Sequence, residues 1–220
     1  MSLELFAHPF SSYCQKVLIA LYEKELPFTF RMLDGDHPDN FAELANSWPL
    51  GKFPMLRDGV TDLVETSIII EYLDSKEPGN HPLIPANPAD ALETRLLDRV
   101  FDLWVMNQAQ VYVDDALRPE GVPKDLYRVA TGHRHLLAAY DWLEQRLKGR
   151  EWANGTSFSL ADSAAAPALF YADWIVPFAD THPVLHAYRQ RLLARPSVAR
   201  CVEEARPYRP LFPLGAPERD

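Results

Sequence analysis

Ser11-Ser12-Tyr13-Cys14-Gln15-Lys16 lies between a short apolar run and an amphipathic one. On its N-terminal side Leu3, Leu5 and Phe6 predict an opening β-strand over residues 3–7. On the other side Cys14, Val17, Leu18 and Leu21 recur at i, i+3, i+4 and i+7, one face of a helix over residues 13–24. Two hydroxyls therefore fall at a strand-to-helix junction, where unpaired backbone N–H groups and the positive helix end favour an anion. The position suits a bound thiolate or carboxylate, and it equally suits an ordinary N-cap serine.

The pattern continues outward from this junction. Phe28-Thr29-Phe30-Arg31-Met32 alternates as a second strand, and a helical or irregular segment is expected around residues 39–46. Two short apolar runs follow, Pro54-Met55-Leu56 and Val60 to Val64, with a hairpin turn expected at the intervening Arg57-Asp58-Gly59. Residues 66–75 repeat with helical period. The order β-α-β-α-β-β-α within residues 1–78 is that of a compact α/β domain. Pro78, Pro82, Pro85 and Pro88 then mark a linker over residues 79–88. From residue 89 to 220 strands all but vanish. Leu92, Leu96, Leu97, Val100, Phe101 and Trp104 form one helical stripe. Leu126, Val129, Ala130, Leu136, Leu137, Tyr140, Leu143 and Leu147 form another, stopped by Gly149. Both stripes read as core packing in an all-helical bundle.

Bulk properties restrict the function classes. A chain of 220 residues with 47% hydrophobic content can bury one large core or two small ones. No run approaches the roughly 18 to 20 apolar residues of a membrane span, and the N-terminus lacks the pattern of a secretory signal. Only Cys14 and Cys201 are present, which suits a reducing cytoplasmic setting. Lys and Arg total 22 against 31 for Asp and Glu, a net charge of -9, and no dense basic stripe offers a nucleic-acid surface. His182 and His186 have a spacing that can serve a metal, but no third ligand is evident; they read as surface histidines, and no metal is expected. Neither a phosphate-binding glycine loop nor a Gly-x-Ser-x-Gly element is present.

Four separated features together resemble the cytosolic glutathione S-transferase family, in its serine-type, zeta- and theta-related branch. They are Ser11 at the first helix, Phe53-Pro54 before a strand, Glu65-Thr66 before a helix, and Ser159-Leu160-Ala161-Asp162 in the second domain. The resemblance spans nearly the whole chain. It implies a thioredoxin-like domain followed by a helical domain, glutathione as co-substrate, and a homodimer. It also implies a role for each matching residue. Ser11 would donate its hydroxyl to the glutathione sulfur, with Ser12 and Tyr13 as alternative donors. A thiol with an ordinary pKa near ~8.5 is little ionised at neutral pH, and such a donor beside a helix N-terminus favours the thiolate. Phe53, turned by a cis Pro54, would pair its main chain with the cysteinyl amide. Lys52 would reach the glycine carboxylate. Glu65 and Thr66 would receive the γ-glutamyl end, with Thr66 as N-cap of the helix.

Other residues carry structural expectations. Ser11 and Cys14 share the Cys-x-x-Cys frame of glutaredoxin-like proteins with serine at the attacking position, and Cys14 on the apolar face reads as a packing residue. Ser159 and Asp162 read as a capping box. Ser163 stands where the family carries an apolar residue, so the staple from Phe158 is expected to be absent or made differently. Trp104, Gln108 and Tyr112 are candidate walls of the second-substrate pocket. The leading function is transfer of glutathione to an electrophilic, mostly apolar small molecule. A glutathione-dependent isomerase of the maleylacetoacetate type is the second reading, although Tyr13-Cys14-Gln15-Lys16 departs from the Cys-x-x-Arg of that class. A noncatalytic binding protein of the same fold is the third.

Overall fold

The computed structural model describes residues 3–77, 79 and 81–220. Strand β1 (Leu3–Ala7) passes through helix α1 (Ser12–Glu23) to strand β2 (Phe28–Met32), which pairs in parallel with β1 from Leu3↔Phe28 to Ala7↔Met32. Parallel neighbours need such a crossover, which α1 supplies. Helix α2 (Pro38–Ser47), strands β3 (Met55–Asp58) and β4 (Thr61–Leu63), and helix α3 (Thr66–Lys76) follow. Strand β3 runs antiparallel to β1, giving the sheet order β2-β1-β3-β4. Successive β1 side chains point to opposite faces. Leu5 and Ala7 join the main core with residues of α1 and α3, while Phe6 packs with Leu33, Leu44 and Met55 on the other face. The Phe6 ring is flanked by the guanidinium groups of Arg31 and Arg57, at 4.9 and 5.0 Å. This is the α/β arrangement expected of a thioredoxin-like domain.

The hairpin turn lies later than its sequence suggested. Asp58 and Arg57 belong to β3 and pair with Thr61 and Asp62. The chain reverses at Gly59-Val60, because Gly59 supplies the required left-handed backbone, φ +62°. Pro78 and Asn80, in the region where the sequence divides, lie outside the described residues. Helix α4 (Pro88–Val100) begins on a proline, with Asn87 capping the N–H groups of Ala89 and Asp90.

From α4 onward the chain is all helical. A π-helical segment (Phe101–Met106) joins α4 to α5 (Asn107–Ala116). Helices α6 (Leu126–Arg146), α7 (Leu160–Ile175), α8 (Pro183–Ala194) and α9 (Pro196–Ala205) follow, then a 3-10 segment (Arg206–Leu211). Helix α7 is the axis of the bundle, buried continuously from Leu160 to Trp174. It packs on α1, α4 and the π-helical segment, so the two halves share one core.

Both expected stripes are only partly buried. In the first, Leu97 and Phe101 are internal, but Leu92, Leu96 and Trp104 are exposed by 69, 45 and 48%. The buried face of α4 instead carries Ala91, Thr94, Leu97 and Asp98. Its polar members find partners across the core: Thr94 accepts from Asn154, and Asp98 pairs with Lys16. In the second stripe Leu136, Tyr140, Leu143 and Leu147 are buried, whereas Leu126, Ala130 and Leu137 face outward. Gly149 ends the segment at φ +72°.

At the start of α7 the Ser159 N–H and hydroxyl both donate to Asp162 Oδ2, at 2.9 and 2.8 Å. Asp162 Oδ1 also receives the Ala153 N–H and the Tyr188 hydroxyl, so this one carboxylate ties α7 to α8. Phe158 packs edge-on to Trp152 and under the Arg195 guanidinium, and buried Ser163 bonds back to the Ser159 carbonyl. The two histidines are not an exposed pair. His182 is buried at the start of α8 and faces Thr181 and Asp141, whereas His186 meets Gln190.

Candidate functional site

A cleft of about 720 Å³ runs between the α/β half and the helical half. Its near wall begins at the opening hexapeptide. His8 fixes the loop ahead of α1: its carbonyl accepts the Ser11 N–H at 3.0 Å and its Nδ1 accepts the Phe10 N–H at 3.1 Å. Burial lowers the His8 pKa, which keeps the accepting ring neutral. Ser11 is the N-cap of α1 and accepts the Cys14 N–H at 3.4 Å. A hydroxyl that accepts one bond retains its own O–H to donate. Capping and presenting a donor to the cleft are therefore compatible at Ser11, which lines it together with Ser12 and Tyr13.

Cys14 takes no part in the cleft surface. It is fully buried, accepts the His8 N–H at 3.5 Å, and burial pushes its thiol pKa up to about 12. At neutral pH it is a thiol, not a nucleophile.

The loop before β3 forms the next part of the wall. The Phe53-Pro54 peptide bond is cis, and Lys52, Phe53 and Pro54 all line the cleft. Strand β3 begins only at Met55, so the Phe53 main chain lies beyond the paired part of the sheet. Lys52 stands exposed in the cleft lining.

Glu65 and Thr66 complete this side. Glu65, rather than Thr66, occupies the N-cap position, and Thr66 is the first residue of α3. Glu65 has φ +69° and ψ +113°, a region that costs a non-glycine residue about 1–3 kcal/mol. No side chain caps α3. Its first N–H groups and the positive end of its dipole are thus left for an anion in the cleft.

Ser11, Lys52, Phe53, Pro54, Glu65 and Thr66 therefore share one cavity wall, although they come from three separate segments. The far wall differs from expectation. Leu103, Met106, Asn107, Gln110, Val113 and Asp114 line it, whereas Trp104, Gln108 and Tyr112 do not. Those three turn toward α6: Trp104 packs edge-on to His135, Gln108 reaches the same ring and the Leu103 carbonyl, and Tyr112 bonds His133 at 2.7 Å. Their four-residue spacing does keep them on one face, and tertiary packing sets that face against α6 and not against the cleft.

Three further contributions have no local sequence signal. Tyr171 of α7 donates to the Phe10 carbonyl at 2.9 Å and closes the floor of the cleft. Leu211, Phe212 and Pro213 return from the C-terminal segment as an apolar wall. Arg99 sits beside Glu65 and Thr66 in the cleft lining, its guanidinium held by Asp98, Asp102 and Ser67.

Comparison with known proteins bears on the family and the fold. Residues 5–81 match the family "Glutathione S-transferase, N-terminal domain", and residues 118–196 match "Glutathione S-transferase, C-terminal domain". The chain belongs to the glutathione S-transferase family. A solved glutathione S-transferase from Methylobacterium radiotolerans, in complex with glutathione sulfonate, superposes with a TM-score of 0.80 at 28% identity, covering 92% of this chain and 95% of that one. Among curated relatives, the FtsZ-localized protein A of Caulobacter vibrioides is 30% identical over 89% of this chain and 90% of its own. A probable maleylacetoacetate isomerase of Vibrio cholerae is 28% identical over 94% and 98%.

Proposed function

We propose that this glutathione S-transferase binds the tripeptide along α1, the Phe53-Pro54 loop and the start of α3, and ionises its thiol beside Ser11. The sulfur then adds to an electrophilic, mostly apolar small molecule held against α5, α7 and the C-terminal segment. The observation that carries this reading is the meeting of the Ser11 hydroxyl and the uncapped N-terminus of α3 in one cleft. The first offers a donor to a sulfur anion, and the second offers N–H groups to a carboxylate. Lys52, exposed in the cleft lining, would meet the opposite carboxylate, and the Phe53 main chain, beyond the paired part of β3, would pair with the amide between them.

Retention on immobilised glutathione, with elution by the free tripeptide, tests the binding half. A folded sample that passes through without delay would contradict it. Assay with glutathione and a panel of electrophiles tests the transfer half.

The isomerase reading draws support from the Vibrio cholerae relative. A dicarboxylate substrate needs cations in the second-substrate half. There the lining is apolar, neutral polar or acidic, with Val113, Ile175, Phe212, Asn107, Gln110 and Asp114, and Arg99 is already paired with two carboxylates. Transfer to a neutral electrophile fits that lining better. A noncatalytic binding role would leave the Ser11 hydroxyl in the cleft unused.

The same proposal includes a homodimer in the cytoplasm, with residues 79–88 as the boundary between the two domains. Ile68 of α3 and Leu92 and Leu96 of α4 are exposed apolar residues. They lie on helices clipped together by the bidentate Glu71–Arg95 pair, which suits a subunit contact. Among the described residues no helix is long and apolar enough to cross a membrane, and no group of three or more ligands could hold a metal ion.

A further inference from the structure

Two consecutive peptide planes lead into Ser11, and each is clamped on both edges. A peptide unit is rigid and planar, so holding its carbonyl and its N–H fixes the plane. In the Pro9–Phe10 unit the carbonyl accepts from Gln15 Nε2 at 2.9 Å, and the N–H donates to His8 Nδ1 at 3.1 Å. In the Phe10–Ser11 unit the carbonyl accepts from the Tyr171 hydroxyl at 2.9 Å, and the N–H donates to the His8 carbonyl at 3.0 Å. The second proton on Gln15 Nε2 goes to the Tyr171 oxygen at 3.1 Å, so the two side-chain clamps form one chain of bonds. Both side chains are buried. The Tyr171 ring packs edge-on to Phe10 and Trp174 and stacks with Phe212. Burial raises its pKa, so the phenol keeps the proton that it donates. The helical half therefore sets the place of that hydroxyl, 161 positions along the chain from the carbonyl it holds.

Building on the transferase reading above, we infer that Tyr171 and Gln15 are positioning residues for thiol ionisation, acting through the Ser11 hydroxyl without contacting the sulfur. Ser11 is the N-cap of α1, at φ -82° and ψ 125°, so its Oγ is carried by the peptide plane that precedes it. A hydrogen bond weakens steeply as its angle departs from linear, and a misplacement of about 1 Å can cost about 100-fold in rate. With the Phe10 carbonyl released, the Phe10–Ser11 plane keeps one clamp of two, and the hydroxyl turns away from the sulfur part of the time. The residues assigned to the rest of the tripeptide, Lys52, Phe53, Glu65 and Thr66, stand on other segments. Loss of the brace thus weakens the thiolate and leaves the grip on the tripeptide backbone in place.

The experiment is ultraviolet titration of glutathione bound to the protein, with no co-substrate present, in the parent, Tyr171→Phe and Gln15→Met, and in each of these combined with Ser11→Ala. Both single variants keep the side-chain volume close to the original. The pKa of the bound thiol should rise by about 0.5 unit in each, a partial loss of the bond that Ser11 makes. The Kd for S-methylglutathione, which has no thiol to ionise, should stay within about twofold of the parent. In the Ser11→Ala background the same substitutions should add less than about 0.2 unit, because residues that act through one group are not additive. An unchanged pKa in Tyr171→Phe and Gln15→Met, where Ser11→Ala alone raises it, would overturn the inference and leave the transferase reading standing. A shift of equal size in the Ser11→Ala background, or a parallel loss of S-methylglutathione affinity, would also overturn it. Ser11→Ala with no effect on the bound thiol would overturn both the inference and the thiol assignment on which it rests.

Discussion

Lys16 of α1 and Asp102 of the π-helical segment, 86 positions apart in sequence, meet at 2.7 Å in an ion pair removed from solvent. The same ammonium lies 2.5 Å from Asp98 and 3.0 Å from the Ser67 hydroxyl. Four elements meet there: the helix that presents Ser11, the helix whose N-terminus faces the cleft, the first helix of the bundle and the π-helical segment that follows it. The cluster therefore fixes the two binding segments relative to each other and to the far wall.

Removing the ammonium leaves Asp98 and Asp102 with only the half-exposed Arg99 guanidinium as cationic partner, and losing the buried partner of such a pair costs up to about 3–5 kcal/mol. Lys16→Met should lose stability of that order in chemical denaturation. Adding Asp98→Leu and Asp102→Leu should restore part of it. A single variant within about 1 kcal/mol of the parent would show that Arg99 or water compensates the two carboxylates.

Glu93 links α4 to α6 through Arg146 at 2.8 Å and Arg150 at 2.9 Å. The hydrogen bond from Arg146, with that from Arg150, holds the Glu93 carboxyl below the usual glutamate range. Its folded-state pKa is depressed, so its contribution is complete above the unfolded value near ~4.3 and is lost as pH falls through the folded value. With Arg146 partly exposed, Glu93→Gln should cost only about 1 kcal/mol at pH 7. The difference from the parent should shrink as pH falls through the folded value. Denaturant midpoints followed from neutral to acid pH decide it, and a gap that persists once the carboxyl is protonated would trace the effect to packing.

Both cysteines are buried, with Cys14 raised to about 12 and Cys201 pushed well above its ordinary value by burial. A thiol reagent at pH 8 should therefore leave the native chain unlabelled on the timescale that labels both cysteines in denaturant. Rapid labelling of native Cys14 would contradict its packing role and reopen a redox function for the Ser-x-x-Cys frame.

The α/β half was legible because its signals are local. Alternation in Phe28–Met32, the helical period after Cys14 and the left-handed demand at Gly59 each act within a few residues. The hairpin was misplaced by reading Asp-Gly as the whole turn, when Asp58 still pairs in the strand. The far wall of the cleft was not legible. Trp104, Gln108 and Tyr112 do share one face, but that face meets α6, and which side of a helix borders a cleft is set by tertiary packing. Polar residues misled in the same way: Thr94 and Asp98 are internal because Asn154 and Lys16 meet them from distant segments. Periodicity finds a buried stripe only when burial follows hydrophobicity. Tyr171 and Phe212 enter the cleft by tertiary return of the chain, which no spacing rule encodes.

Ultraviolet titration of the glutathione thiolate bound to the protein tests the central claim most directly. Bound to the parent, the thiol should titrate below its free value near ~8.5, because the Ser11 hydroxyl and the start of α1 favour the anion. In Ser11→Ala the apparent pKa should rise by about 1 unit or more, consistent with a charge-assisted bond of about 1.5–3 kcal/mol, and turnover at neutral pH should fall with it. Identical titration curves for parent and variant, with glutathione bound in both, would contradict the account and move the thiol donor to Ser12 or Tyr13.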